Sequence, residues 1–262
     1  MIIQGGILML KRITALFFIA CILFSLNTFS DNNTIRIPIL CYHNLNPTKP
    51  GSMNMTPAEF ESQIKWLKDN GFTITPLNNI VEYLQGKRTS LPNKPIAITA
   101  DDGWESVYQY MLPIVKKYNI PVTLFIYPET ISAGKHALTW NQLKALQQTG
   151  LFDIQGHTYS HPNFKIEKRT LSSDAYQKFV QTELQKSKKI LEDNLGKKIT
   201  LLAWPFGIYD PYLEQAAENA GYVMAFSIDA RKAKKDDKAM AVPRYMIVEP
   251  LSMKSFSVKV GE

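Results

Sequence analysis

Apolar residues along this chain gather into short runs, and between the runs they recur at three- and four-residue intervals. Short runs bounded by turn residues read as buried strands, and the wider spacing reads as amphipathic helices. "IRIPILCY" (35–42), "FTIT", "PIAITA", "PVTLFIY", "FDIQGH", "ITLLAWPFG", "YVMAFSID" and "AVPRYMIV" are the predicted strands. "TPAEFESQIKWLKDNG" (56–71) is the clearest helix between them. Thr56 is its N-cap, Pro57 its first residue and Glu59 the third, Gly71 ends it, and Phe60, Ile64 and Leu67 share one face. "LNNIVEYLQG", "ESVYQYMLPIVKKYN" with a bend at Pro113, "TWNQLKALQQTG", the long "SSDAYQKFVQTELQKSKKILEDNLG" and "DPYLEQAAENAG" follow. Strand and helix thus alternate through the chain, which argues for an α/β fold of parallel strands with covering helices. An irregular or incomplete (β/α) barrel fits better than an open sheet. No glycine-rich G-x-G-x-x-G turn follows the first strand, so a dinucleotide-binding fold has no support.

The first 30 residues stand apart from this pattern. Lys11 and Arg12 precede the apolar run "ITALFFIACILFSL", which has the length of a signal peptide and is short for a membrane span. Thr28 and Ser30 occupy the −3 and −1 positions of a cut before Asp31. The expectation is an exported protein, periplasmic or at the cell surface, with residues 1–30 as signal peptide and 31–262 as one domain. An uncleaved anchor and lipidation at Cys21 are the alternatives. Cleavage leaves Cys41 as the only cysteine, hence no intrachain disulfide and no expected disulfide-linked partner. With 45% hydrophobic residues in 262, the core is large enough to dispense with disulfides. The chain carries 30 basic and 23 acidic residues, and "KSKKILEDNLGKK" and "ARKAKKDDK" hold the basic clusters. Neither has interleaved aromatic residues, so both read as solvated surface and no nucleic-acid partner is expected.

Candidate chemistry begins at "PIAITADDGWES" (95–106), where a buried strand ends on two adjacent carboxylates. Two acids there are costly unless something neutralises them. The four histidines are His43, His136, His157 and His161, and two of them form the H-x-x-x-H of "GHTYSHPNF" in a turn leaving a strand. At the C-terminal rim of a barrel, an acid and two imidazoles make a candidate 2-His-1-carboxylate metal site. His136 lies in a polar loop and reads as structural or surface, and Cys41 as core. Asp229, at another strand end, is a helix or turn cap or an orienter of one of the histidines.

These motifs carry a resemblance. "TADDGW" resembles the first motif T-F-D-D-G of the polysaccharide deacetylase family (carbohydrate esterase family 4, NodB-homology domain), with Ala100 in place of Phe. "HTYSH" matches the second, H-[ST]-x-x-H, and "AWPFGIYD" resembles the third, R-x-P-Y-G, with Ala203 in place of Arg. The resemblance spans roughly residues 36–248 and implies a single domain with an irregular (β/α)7-type barrel. The family's late L-x-x-H motif is absent, since no histidine follows His161. Instead "PILCYHNL" places His43 at the end of the first strand, as in the circularly permuted branch that deacetylates poly-β-1,6-N-acetylglucosamine of biofilm matrices. In a closed barrel the first and last strands are neighbours, so such a permutation is physically easy.

The resemblance implies a hydrolase that removes N-acetyl groups from an N-acetylglucosamine polymer. It assigns Asp102, His157 and His161 to one divalent metal ion, Zn2+ foremost, with Co2+, Ni2+ or Fe2+ as alternatives. It makes Asp101 the general base, His43 the general acid, as imidazolium, and the backbone N–H near Phe206 an oxyanion donor. Arg244 would replace the missing arginine beside Asp101. Trp104, Trp204 and Tyr127 are candidate sugar-stacking residues. A monomer is expected, with a separate glycan-export or glycan-binding protein as a conceivable partner. Peptidoglycan, chitin oligomers and acetylated xylan are alternative substrates. A glycoside hydrolase is disfavoured because adjacent aspartates cannot face each other across a sugar. A non-catalytic carbohydrate-binding relative would ordinarily have lost a ligand or the base.

Overall fold

The structure is a computed structural model that describes residues 35–48, 51 and 53–261. Residues 1–30, where a signal peptide is expected, lie outside the described residues. The described part starts with β1 (Ile39–Tyr42) and the two-residue strands β2 (Asn44–Leu45) and β3 (Asn54–Met55), which pair with each other apart from the main sheet. There follow α1 (Pro57–Asp69), β4 (Thr73–Ile74), α2 (Leu77–Leu84), β5 (Pro95–Asp102), α3 (Leu112–Tyr118), β6 (Val122–Ile126), α4 (Trp140–Gln148) and β7 (Phe152–Gly156). After β7 come α5 (Phe164–Thr170), α6 (Ser173–Leu195), β8 (Leu201–Ala203), α7 (Pro211–Asn219), β9 (Met224–Phe226), β10 (Tyr245–Met246) and α8 (Met253–Val260). The strands form one curled, all-parallel sheet in the order β10-β1-β5-β6-β7-β8-β9, with β4 against the start of β5. Leu40 lies opposite Tyr245 and Cys41 opposite Met246, so the first and last strands are neighbours. A parallel bridge from Phe226 to Val242 ties β9 to the segment leading into β10, drawing the half-barrel towards closure.

Local chemistry accounts for the elements. Thr56 and Glu59 form a reciprocal capping box at α1, and Thr139 and Gln142 form another at α4. The expected bend at Pro113 is a five-residue π turn, Val107–Met111, leading into α3. Proline lacks the N–H that would bond back one turn, and the wider turn before it absorbs that loss. The helices α5 and α8 and the pair β2–β3 were not anticipated. α5 buries only Phe164, and β2 and β3 have two residues each, too little for a periodic signal.

Alternation along the strands divides the core in two. Leu40, Ile98, Ala100, Leu124, Ile154 and Leu202 face the covering helices. Ile39, Ala97, Phe125, Leu201, Met224 and Phe226 fill the concave side, joined by Leu77, Ile80, Val81 and Leu84 of α2. Further along the same concave face the residues turn polar while remaining buried: Thr99, Asp101, Thr123, Gln155, His157 and Arg244. Such groups inside a core demand partners, and those partners build the site.

Candidate active site

A cavity of about 370 Å3 opens where the strands end, lined by His43, Asp101, Asp102, His157, His161, Trp204 and Phe206, with Met53 and Met246 at its side. β5 delivers both aspartates, paired through Asp101 with Phe125 and through Asp102 with Ile126 of β6. Asp102 has a left-handed backbone (φ 77°) and Gly103 follows at φ 88°. A side chain on Gly103 would sit 3.1 Å from Ile131 and 3.3 Å from Ile126, so glycine is needed where the chain turns away.

The two carboxylates have opposite surroundings. Asp101 is 2% exposed and receives both arms of Arg244, with Nη1 donating to Oδ1 at 2.9 Å and Nη2 to Oδ2 at 2.7 Å. Arg244 is itself fully buried and also donates to Thr99 Oγ1 at 3.0 Å and the Ser227 carbonyl at 3.1 Å. Its guanidinium lies 5.2 Å from the centre of the Phe125 ring. Such a forked, stacked arrangement is specific to arginine. The Cys41 thiol donates to Asp101 Oδ2 at 3.3 Å, so Cys41 is more than the plain core residue expected. Burial pushes Asp101 up, but Arg244 outweighs it, aided by His157, and holds the carboxyl well below the usual carboxylate range.

Asp102 has no lysine or arginine partner among the described residues. Its Oδ1 is buried without a hydrogen-bond partner and lies 3.5 Å from His157 Nε2 and 3.6 Å from His161 Nε2. Its Oδ2 accepts a hydrogen bond from the Trp104 indole at 3.1 Å. His157 Nδ1 donates to the Ala203 carbonyl at 2.7 Å, leaving Nε2 as the atom facing Asp102. Ala203, where the family motif has arginine, thus serves through its backbone. Burial and the neighbouring His157 pull His161 down to about 4, so its ring is neutral near pH 7. In His157 burial acts the same way, but Asp102 and Asp101 outweigh it and raise the group. One ligand atom from each of Asp102, His157 and His161 lies within 4.8 Å of the others. The donor set and the orphaned carboxylate oxygen fit a divalent ion. Cys41, His43 and Asp101 form a second such group. There Arg244 already neutralises the carboxylate, and burial pushes the Cys41 thiol up, so a cation would meet an arginine and a neutral sulfur.

His43 faces the same cavity from the end of β1, and its Nδ1 is buried without a partner. Burial lowers its pKa against the opposing pull of Asp101 and Asp102. His43 is therefore neutral near pH 7 at rest, and the imidazolium expected of a general acid would form when a proton reaches it. Phe206 projects its ring into solvent, 56% exposed and 4.7 Å from the His161 ring centre. Phe206 and Gly207 are both left-handed, and a side chain on Gly207 would come 2.4 Å from Ile228. That turn brings the backbone of "WPFG" to the cavity.

The three expected sugar-stacking residues part ways. Trp204 is 1% exposed, donates its indole N–H to the Met240 carbonyl at 2.8 Å and packs edge-on against Phe164. It is wall packing, not a stacking platform. Trp104 is tied to Asp102, and Tyr127 lies 5.3 Å from the His161 ring. Asp229 accepts from Tyr209 and Ser227 and orients neither histidine. Sequence reasoning missed Glu183 of α6, whose buried carboxylate accepts from the backbone N–H groups of Tyr159 and Ser160 at 2.9 Å each and from the Ser160 hydroxyl at 2.7 Å. It holds the turn between the paired histidines, where Thr158 and His161 are left-handed. Only its place on the apolar face of α6, beside Leu184 and a turn after Val180, could have revealed it.

A curled parallel sheet thus gathers two acids and three histidines at the ends of its strands. The polysaccharide deacetylase family pattern matches residues 88–225. YxkH of Bacillus subtilis (strain 168) is 31% identical over 226 residues, covering 86% of this chain and 76% of that protein. The chain therefore belongs to the polysaccharide deacetylase family. The poly-β-1,6-N-acetyl-D-glucosamine N-deacetylase of Staphylococcus aureus (strain MRSA252) is 27% identical over 198 residues, covering 74% of this chain and 68% of the relative. In fold, the chain resembles IcaB from Ammonifex degensii, with a TM-score of 0.77 at 24% identity over 87% of this chain and 97% of that one. The Streptococcus pyogenes deacetylase PplD, solved in complex with acetate, superposes equally well, again at 24% identity over 87% of this chain and all of that one.

Proposed function

We propose that this polysaccharide deacetylase is metal-dependent and removes acetyl groups from poly-β-1,6-N-acetylglucosamine. The observation that carries the reading is the orphaned Asp102 Oδ1 between two imidazole Nε2 atoms, beside an Asp101 already balanced by Arg244. The choice of polymer draws support from the His43 strand and from the name of the staphylococcal relative. Bound by Asp102, His157 and His161, a divalent cation, Zn2+ foremost, supplies polarisation of the acetamide carbonyl and a water more acidic than bulk.

The protein's own groups do the rest. Ala203 and Trp104 orient His157 and Asp102. Asp101 takes the proton of the attacking water, and Arg244 keeps it ionised at some cost in basicity. The Phe206 backbone N–H is offered to the developing oxyanion, since those of Gly207 and Ile208 already donate within the turn. His43, neutral at rest and with a ring nitrogen within 4.8 Å of an Asp101 oxygen, receives that proton and delivers it to the departing sugar amine. The leader-like run over 13–26 supports export to the substrate's side of the membrane.

Acetate release from β-1,6-linked N-acetylglucosamine oligomers by the full chain tests this, run metal-stripped, then with divalent ions restored, beside His157→Ala. Release that depends on metal and disappears in the variant is expected. Release undiminished after metal removal would refute the metal, and release only from other acetylated glycans would refute the polymer.

A further inference from the structure

One further cleft adjoins the catalytic cavity and a second adjoins the first. The first, about 240 Å3, shares Asp102 with that cavity and runs between Trp104, Tyr127 and Lys135. The second, about 320 Å3, lies on the far side of Trp104 and His136, which line both clefts. Its volume is at the lower end of known ligand sites. Trp104 is the partition, and it is rigid: its indole donates to Asp102, and its backbone bridges Ala137. One wall of the outer cleft is likewise set, because Ser106 donates to Asn44 Oδ1 at 2.7 Å while Asn44 donates to Asn54 at 2.8 Å.

Against this frame stand three polar side chains, Glu105, Gln109 and His136, that make no side-chain hydrogen bond or ion pair among the described residues. Glu105 is half-buried and its backbone N–H is held by the His136 carbonyl, which places the residue at the cleft. Among the described residues, the outer cleft's lining includes no lysine or arginine, although the chain as a whole is basic. An unpaired carboxylate beside an aromatic face, with amide and imidazole groups around it, is a site for a polar ring that bears a positive charge.

We propose that this outer cleft is a subsite for an already deacetylated, cationic glucosamine unit of the same polymer, with Glu105 as the residue that recognises its ammonium. The inference rests on the polysaccharide reading above and extends it. Acetylated units are neutral and gain nothing from Glu105, whereas the product of one turnover carries the charge that fits the outer cleft. The enzyme would then favour acetyl groups that lie near a unit it has already processed, so that deacetylation proceeds in clusters along the chain.

The test is calorimetric binding of two probes to the full chain, a β-1,6-linked glucosamine tetramer and the same tetramer fully N-acetylated, with Glu105→Gln and Glu105→Lys as variants. Loss of one charge-assisted hydrogen bond should weaken the glucosamine tetramer by roughly tenfold or more in the isosteric Gln variant. Glu105→Lys should abolish that binding, and affinity for the acetylated tetramer should stay within about twofold in the Gln variant. Equal weakening of both probes, no weakening of either, or no binding of the glucosamine tetramer to the unaltered protein would overturn the proposal. This readout involves no turnover. Failure to release acetate from any acetylated glycan would therefore overturn the proposed function, while intact acetate release without charge-selective binding would overturn only the outer subsite.

Discussion

The two sides of the catalytic cavity solve one problem in two ways. On the Asp101 side the charge is balanced from within, by an arginine that is itself sealed from water. On the Asp102 side the nearest polar groups are two imidazoles and an indole, and one carboxylate oxygen is left bare. A fold tolerates a bare buried oxygen where something from outside completes it. The difference teaches that neighbouring residues of identical chemistry are separated into roles by what the rest of the chain brings to each.

The contrast can be broken most severely at the acids themselves. Asp101→Asn should lower kcat by about 100- to 10,000-fold, the range for a lost general base, while metal content by elemental analysis stays stoichiometric. Asp102→Asn should lose the metal first and activity as a consequence. Metal loss in the Asp101 variant would collapse the distinction between the two sides.

Next in size is the buried ion pair. Arg244→Met leaves Asp101 uncompensated and should cost about 3–5 kcal/mol in urea denaturation at pH 7. Asp101 has a lowered pKa in the folded state, so its stabilisation is fully present above the ordinary aspartate value of about 3.9. It is lost as pH falls through the lower folded value. The variant should lack that part of the acid-induced loss, and an unchanged acid limb would contradict the pairing.

Smaller effects sharpen the Asp102 side. Trp104→Phe keeps the ring but removes the N–H on Asp102 Oδ2, and metal affinity should drop by about 10- to 100-fold, read by competition with a chelator. Glu183→Gln keeps the shape but weakens acceptance from Tyr159 and Ser160. A stability loss of about 1–3 kcal/mol is expected, with metal affinity falling through His161 rather than through Asp102. If hydrogen exchange at the Tyr159 and Ser160 amides is unchanged in that variant, Glu183 does not hold the turn.

The alternation of strands and helices was legible because each strand is a short apolar run and each long helix has one apolar face and a capped start, as at Thr56 and Thr139. "DDG" and "HTYSH" were legible only together, because an acid pair and two imidazoles at strand ends make a ligand set and match two motifs of the family. Periodicity could not show that Trp204 is packed into the wall while Trp104 bridges to an acid. An aromatic side chain carries the same sequence signal in either place. Nor could it find Glu183, which lies 24 and 23 positions from Tyr159 and Ser160, the residues it holds.

By itself, then, the sequence determined the order of parallel strands and which acids and histidines stand at their ends, because local propensity and alternation act over a few neighbouring residues. The family resemblance already suggested Arg244 beside Asp101, but only the tertiary structure shows both guanidinium arms closing on that carboxylate while Asp102 Oδ1 is left without a partner. Arg244 reaches Asp101 from 143 positions away, brought there because the last strand closes beside the first. A buried charge is assigned by whatever the folded chain packs against it, and that information is not local.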